Sequence, residues 1–193
     1  MITDSLKRVA GEVRGCVRCR LAGTRTHAVP GHGDPHAPLM LIGEAPGAKE
    51  DATGLPFQGL GGRFLDRALG VLGVSREQVF ITSVNKCRPP KNRNPRPDEI
   101  QACSGYLDRQ LALISPRVVL AMGGTAAARL HPEPPRTLRV GELRGLPIPL
   151  GPDRAMVVTY HPAAAMRFPA QREPFHTDLA QAVELSGVSP GGA

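Results

Sequence analysis

Four cysteines, Cys16, Cys19, Cys87 and Cys103, are the residues whose type and spacing most directly suggest chemistry. Cys16 and Cys19 lie three positions apart, so one tight turn can aim both sulfurs at a single centre. Cys87 ends a strand-like run and Cys103 falls early in the next helix, so the loop between them can fold back on itself. Four thiolates suit zinc or a 4Fe–4S cluster. The long gap between the N-terminal pair and Cys87 is unlike a zinc ribbon, where both pairs are short. Four unrelated buried cysteines are the remaining reading, although C-x-R-C among basic residues makes a poor core segment. Disulfides are disfavoured in the cytoplasm. The opening MITDSLKRVAGEVRG carries charge where a signal peptide is apolar, which reads as cytoplasmic.

A second group of candidates comes from loops. GEAPGAKED (43–51) carries Glu44, Glu50 and Asp51, acids that could act on a substrate or simply cap a helix. Phe57 stands between Pro and Gly, and His161 ends an apolar run just before a proline. The stretch RPPKNRNPR (88–96) holds four basic residues, Arg88, Lys91, Arg93 and Arg96, and reads as a phosphate-binding loop or a solvated surface loop.

These residues need a scaffold. The apolar runs LMLIGEA (39–45), VFITSVNKC (79–87), RVVLAMGG (117–124) and AMVVTYHP (155–162) read as buried strands. Helical spacing covers 3–14, 61–73, 97–114, 125–130 and 172–186, with Pro97 near a helix start and acids in its first turn. Residues 23–38 are turn-rich, 131–155 are Pro-rich with two possible edge strands, and 189–193 read as a frayed tail. Strands alternating with helices predict a parallel α/β sheet covered on both faces. Ligands of such sheets sit at the C-terminal strand ends. Here those ends carry GEAPG, NKCRPP, MGG and YHP.

The 193 residues fit one domain, 1–193, and no apolar run is long enough to span a bilayer. Net charge is +7, mostly from arginine, which suits a polyanionic partner but also follows from GC-rich codon usage. With no Trp, 2 Tyr and 5 Phe, an extended aromatic platform for single strands is not expected.

Together, GEAPGAKED (43–51), PFQG (56–59), KCRPPKNRNPRPDEIQAC (86–103), LAMGGTAA (120–127) and TYHPAAAMR (159–167) resemble the family 4 uracil-DNA glycosylases, the iron–sulfur branch of the uracil-DNA glycosylase superfamily. The resemblance implies a three-layer α/β/α fold on a four-stranded parallel sheet. It implies a structural 4Fe–4S cluster on Cys16, Cys19, Cys87 and Cys103. It also implies a monomer that flips uracil out of single- or double-stranded DNA and hydrolyses its N-glycosidic bond, leaving an abasic site. Glu50 is then expected to orient the water, with Glu44 in support. Ala45 stands where the best-known branch has an Asp. Phe57 is expected to stack on the flipped base and His161 to donate to the uracil oxygen that gains charge. Met166 would be the wedge in a loop, PAAAMR, that presses on the duplex, and Arg167 a phosphate contact beside Arg88, Lys91 and Arg93.

Three departures stand out. Where the family usually reads uracil's edge with an Asn, this chain has Ser83, with Asn85 two positions on and expected on the same face. Leu60 stands where an Arg is frequent. Residues 87–103 lack the His of crosslinking relatives, which predicts no covalent adduct with DNA. Two other functions fit the sequence: a glycosylase preferring hypoxanthine or xanthine, and a non-catalytic iron–sulfur DNA-binding relative.

Overall fold

The structure, a computed structural model, describes residues 4–189, so most of the expected frayed tail lies outside the described residues. In chain order the strands are β1 (His32–Gly33), β2 (Leu39–Gly43), β3 (Phe80–Ser83), β4 (Val118–Met122), β5 (Ile148–Pro149) and β6 (Ala155–Thr159). The helices are α1 (Leu6–Arg14), α2 (Ala48–Thr53), α3 (Leu60–Val71), α4 (Pro97–Ile114), α5 (Gly124–Leu130), α6 (Val140–Leu143), α7 (Pro162–Arg167) and α8 (Arg172–Ser186).

The expected four parallel strands form the centre of a wider sheet with order β1-β3-β2-β4-β6-β5. The β3-β2-β4-β6 ladder is parallel, and the two-residue strands β1 and β5 pair antiparallel at its edges. One of the two edge strands expected in 131–155 is thus present as β5. β1 falls in the segment read as turns, too short to leave an alternating signature.

The sheet is covered on both faces, which is why its central strands are apolar at nearly every position. Leu39, Leu41, Leu120 and Val157 face a core with Phe64 and Leu65 of α3 and Phe175 and Leu179 of α8. Their neighbours Met40, Ile42, Val119 and Val158 face the opposite layer with Leu107 of α4 and Ala126 of α5. A third cluster joins Val9 and Val13 of α1 to Tyr106 of α4 and includes Cys87 and Cys103. Helix α4 begins as its sequence predicts: Pro97 is in its first turn, and Glu99 reaches back to accept from the Arg96 amide at 2.8 Å.

Two local expectations are corrected. The strand expected over 79–87 ends at Ser83, and PAAAMR is the helix α7, capped by His161 and begun by Pro162. Among the described residues no helix is long and apolar enough to cross a membrane.

Candidate active site

The C-terminal ends of the parallel strands open on a cleft of about 750 Å³. Glu44, Ala45, Phe57, Ser83, His161, Met166 and Arg167 all line it, so residues far apart in sequence converge on one wall. Glycine creates the room. A Cβ on Gly43 would stand 2.7 Å from the Phe57 ring, and one on Gly62 would stand 1.8 Å from the Phe57 carbonyl oxygen. Phe57 itself has a φ of 52°, rare for a bulky residue, and that conformation is held from outside. Arg76 donates to the Pro56 carbonyl at 2.7 Å and to the Phe57 carbonyl at 3.4 Å.

The two acids stand in different surroundings. Glu50 receives three backbone amides: Gly47 at 3.0 Å, Gln58 at 2.7 Å and Gly59 at 2.9 Å. Both of its oxygens are occupied, so Glu50 joins the start of α2 to the PFQG loop and sets the position of Phe57. Both glutamates line the cleft, and Glu44 Oε2 accepts from the Thr125 hydroxyl of α5. Among the described residues no donor meets Glu44 Oε1. Of the two carboxylates, Glu44 is the one with an oxygen free to take a water.

His161 ends the β6 connection and caps α7. Its Nδ1 accepts from the Ala163 amide at 3.2 Å, so in the neutral ring the proton sits on Nε2. Loss of hydration, partly offset by the Glu50 carboxylate, holds its pKa down to about 4. At neutral pH the ring is therefore an uncharged donor through Nε2. It stacks on Phe57 with centroids 5.7 Å apart.

Ser83 and Asn85 are separated. Ser83, the last residue of β3, lines the cleft. Beyond it the strand has ended, alternation no longer applies, and Asn85 is buried beside the cysteines with its Nδ2 on the Glu99 carbonyl at 3.0 Å. Asn85 therefore does not reach the cleft wall in place of Ser83.

The basic loop contributes less free charge than its sequence suggested. Arg93 lines the cleft, but its guanidinium is bound bidentately to the buried Glu99 at 2.6 and 2.8 Å. Arg88 donates to Asn92 Oδ1 at 2.7 Å, and Lys91 is exposed; neither lines the cleft. Lys49 and Arg63, which the sequence reading passed over, do line it. Arg63 lies one helical turn after Leu60, on the helix that starts at the glycine-rich GLGG, and that spacing was the available signal. Met166 is half-buried against the core, whereas Phe168, just beyond α7, is 50% exposed.

All four cysteines line a single cavity against α1 and α4. Arg25 donates to Cys87 Sγ at 3.2 Å and the Lys86 amide to Cys103 Sγ at 3.3 Å. Burial pushes the Cys87 thiol up to about 11 and the Cys103 thiol upward as well. Thiols so placed are poor acids on their own, but the convergent sulfurs and their N–H donors are the surroundings that metal-bound thiolates require. Four thiols round one cavity are the donor chemistry a cluster takes, although among the described residues no three His, Cys, Asp or Glu side chains are grouped to hold a single metal ion.

Comparison with known proteins agrees with this geometry. Residues 30–183 match the family described as the uracil DNA glycosylase superfamily. The type-4 uracil-DNA glycosylase of Saccharolobus solfataricus is 41% identical over 192 residues, covering 97% of this chain and 89% of that protein. The type-4 enzyme of Pyrobaculum aerophilum is 41% identical over 179 residues, 91% of each chain. A type-5 enzyme of Thermus thermophilus is 33% identical over 178 residues, 83% of this chain and 81% of that protein. The chain belongs to the uracil-DNA glycosylase superfamily, and within it to the type-4 family.

Proposed function

We propose that the protein is a monofunctional DNA-repair hydrolase that flips uracil out of DNA and cleaves its N-glycosidic bond. The observation that carries this reading is the pairing of a neutral His161, its Nε2–H free, with the partly free carboxylate of Glu44 in one cleft. As the C1′–N1 bond breaks, its electron pair passes to uracil, and positive charge develops on the sugar. Phe57 supports the face of the extruded base, and Nε2–H of His161 hydrogen-bonds the uracil oxygen that gains charge. Glu44 stabilises the sugar cation and orients a water. That water bonds to C1′ and gives up a proton through Glu44, leaving an abasic site. Glu50 acts one step back by holding the Phe57 loop. Lys49, Arg63 and Arg167 at the rim take the phosphates.

Cys16, Cys19, Cys87 and Cys103 would hold a 4Fe–4S cluster, which supplies a structural clip and no redox step. Those cysteines would thereby join the N-terminal segment to the root of the 88–96 loop. Because that loop carries no histidine, the product leaves without a covalent adduct.

One observation favours a second reading, in which hypoxanthine or xanthine is also released. Ser83 brings a single hydroxyl to the wall, and one contact reads a base edge less selectively than an amide does. An oligonucleotide panel of U:G, U:A, single-stranded U and hypoxanthine, treated with alkali after incubation, tests both readings. Strand breaks at uracil support the first reading. Preferential breaks at hypoxanthine favour the second. Salt-sensitive binding with no breaks at all would make the protein a non-catalytic DNA binder.

A further inference from the structure

Lys86 is only 1% exposed, yet among the described residues no carboxylate forms an ion pair with it. Its Nζ lies 2.7 Å from each of three oxygens: Thr82 Oγ1, the Ser83 carbonyl and Gln110 Oε1. The carbonyl and amide oxygens can only accept. The Thr82 hydroxyl donates to the Pro30 carbonyl at 3.0 Å, so its oxygen also accepts from Lys86. Three oxygens within 2.7 Å, with the Thr82 proton directed to Pro30, suit the three N–H bonds of the charged ammonium.

A buried cation that meets only neutral oxygens is costly unless an anion lies nearby. The cysteine cavity lies beside Lys86. Lys86 lines that cavity, its amide donates to Cys103 Sγ at 3.3 Å, and Cys87 is the next residue in the chain. Four thiolates around an iron–sulfur core of charge 2+ leave a net charge of about −2.

We propose that Lys86 is the buried counter-charge of the thiolate cage and the residue that ties the cage to the base-facing end of β3. One ammonium serves both sides: it balances the cage, and it holds the carbonyl of Ser83, whose residue lines the cleft. The proposal rests on the reading of the cage as an iron–sulfur site. It assigns the role to charge and not to shape.

The test follows iron release from the purified holoprotein to a chelator, read as loss of visible absorbance, with far-UV circular dichroism as the folding control. Lys86→Met keeps the apolar stem and removes the charge, and release is expected to quicken about tenfold or more. Lys86→Arg keeps the charge and is expected to stay within about threefold of wild type. A purely packing role would reverse that order, because Met is the closer fit in shape. Gln110→Glu gives Lys86 a competing carboxylate and also gives up the Nε2 bond to the Pro30 carbonyl at 2.6 Å, so release quickens although the ammonium gains a local partner, and thermal unfolding read alongside separates the charge effect from the lost bond. If Lys86→Met does not fold, Gln110→Glu decides. A wild-type release rate in either folded variant overturns the proposal. Wild-type protein that purifies with no iron would sink the iron–sulfur reading first, and this proposal with it.

Discussion

Phe57 and His161 stack with their ring centroids 5.7 Å apart and their planes inclined by 25°. One is carried on the loop pinned by Glu50, the other on the link from β6 to α7. The proposed base-supporting ring and the proposed hydrogen-bond donor therefore depend on each other's placement, and each has its own scaffold.

The imidazole is expected to remain neutral through the working pH range. Its folded pKa of about 4 lies below the ordinary value of 6.5, so folding favours the uncharged ring. This contribution to stability is fully present above pH 6.5 and is lost progressively as pH falls toward 4. The acid limb of kcat/KM set by His161 should accordingly lie near pH 4 and not near 6.5. His161→Leu should lower kcat by about 10²–10³ at neutral pH, the usual cost of losing one donor to a developing oxyanion. A pH–rate profile of base release, run on both proteins, checks this. An acid limb at 6.5 in the wild type would count against it.

The two glutamates should separate in a stability assay. Glu44→Gln should reduce kcat by about two orders of magnitude with Tm near wild type, because only the cleft-facing charge is lost. Glu50→Gln places an amide against three backbone N–H groups and should lower stability by about 1–3 kcal/mol along with activity. Single-turnover base release beside thermal unfolding distinguishes them.

Gly43→Ala should displace the Phe57 ring, since the new methyl would stand 2.7 Å from it. The expected result is weaker capture of the flipped base, seen as a raised KM for uracil-containing DNA with the sheet still folded. An unchanged KM would mean that Phe57 yields without consequence.

Ser83→Asn should sharpen base selectivity by adding a donor and an acceptor at the cleft wall. Asn85→Ser should leave selectivity unchanged and lower stability instead, because its amide holds the Glu99 carbonyl at the root of α4. Release of uracil relative to hypoxanthine, measured for both variants, tests the pair.

Much of this was readable in advance because buried parallel strands leave a strong signature. Runs such as VVLAM are apolar at every position only when both faces of a sheet are covered, and β4 is such a strand. The strand ends then located the cleft. What escaped the sequence was local. Nothing in GEAPGAKED distinguishes a glutamate whose oxygens are taken up by backbone amides from one with an oxygen that no protein donor meets, since both follow the same turn. Asn85 was expected beside Ser83 because alternation was carried past the point where the ladder stops. Arg93 read as free charge because its partner, Glu99, is six residues away and across a proline-rich turn. The α7 helix read as a loop because its cap is a histidine, an uncommon residue at that position.

The most direct measurement of the central claim is chromatographic detection of free uracil released from a uracil-containing duplex, with wild type and Glu44→Gln assayed side by side. Wild type should release uracil and leave an alkali-labile site, while Glu44→Gln should release it about a hundredfold more slowly. Intact uracil DNA after incubation with folded wild-type protein, or equal release by the two proteins, would contradict it.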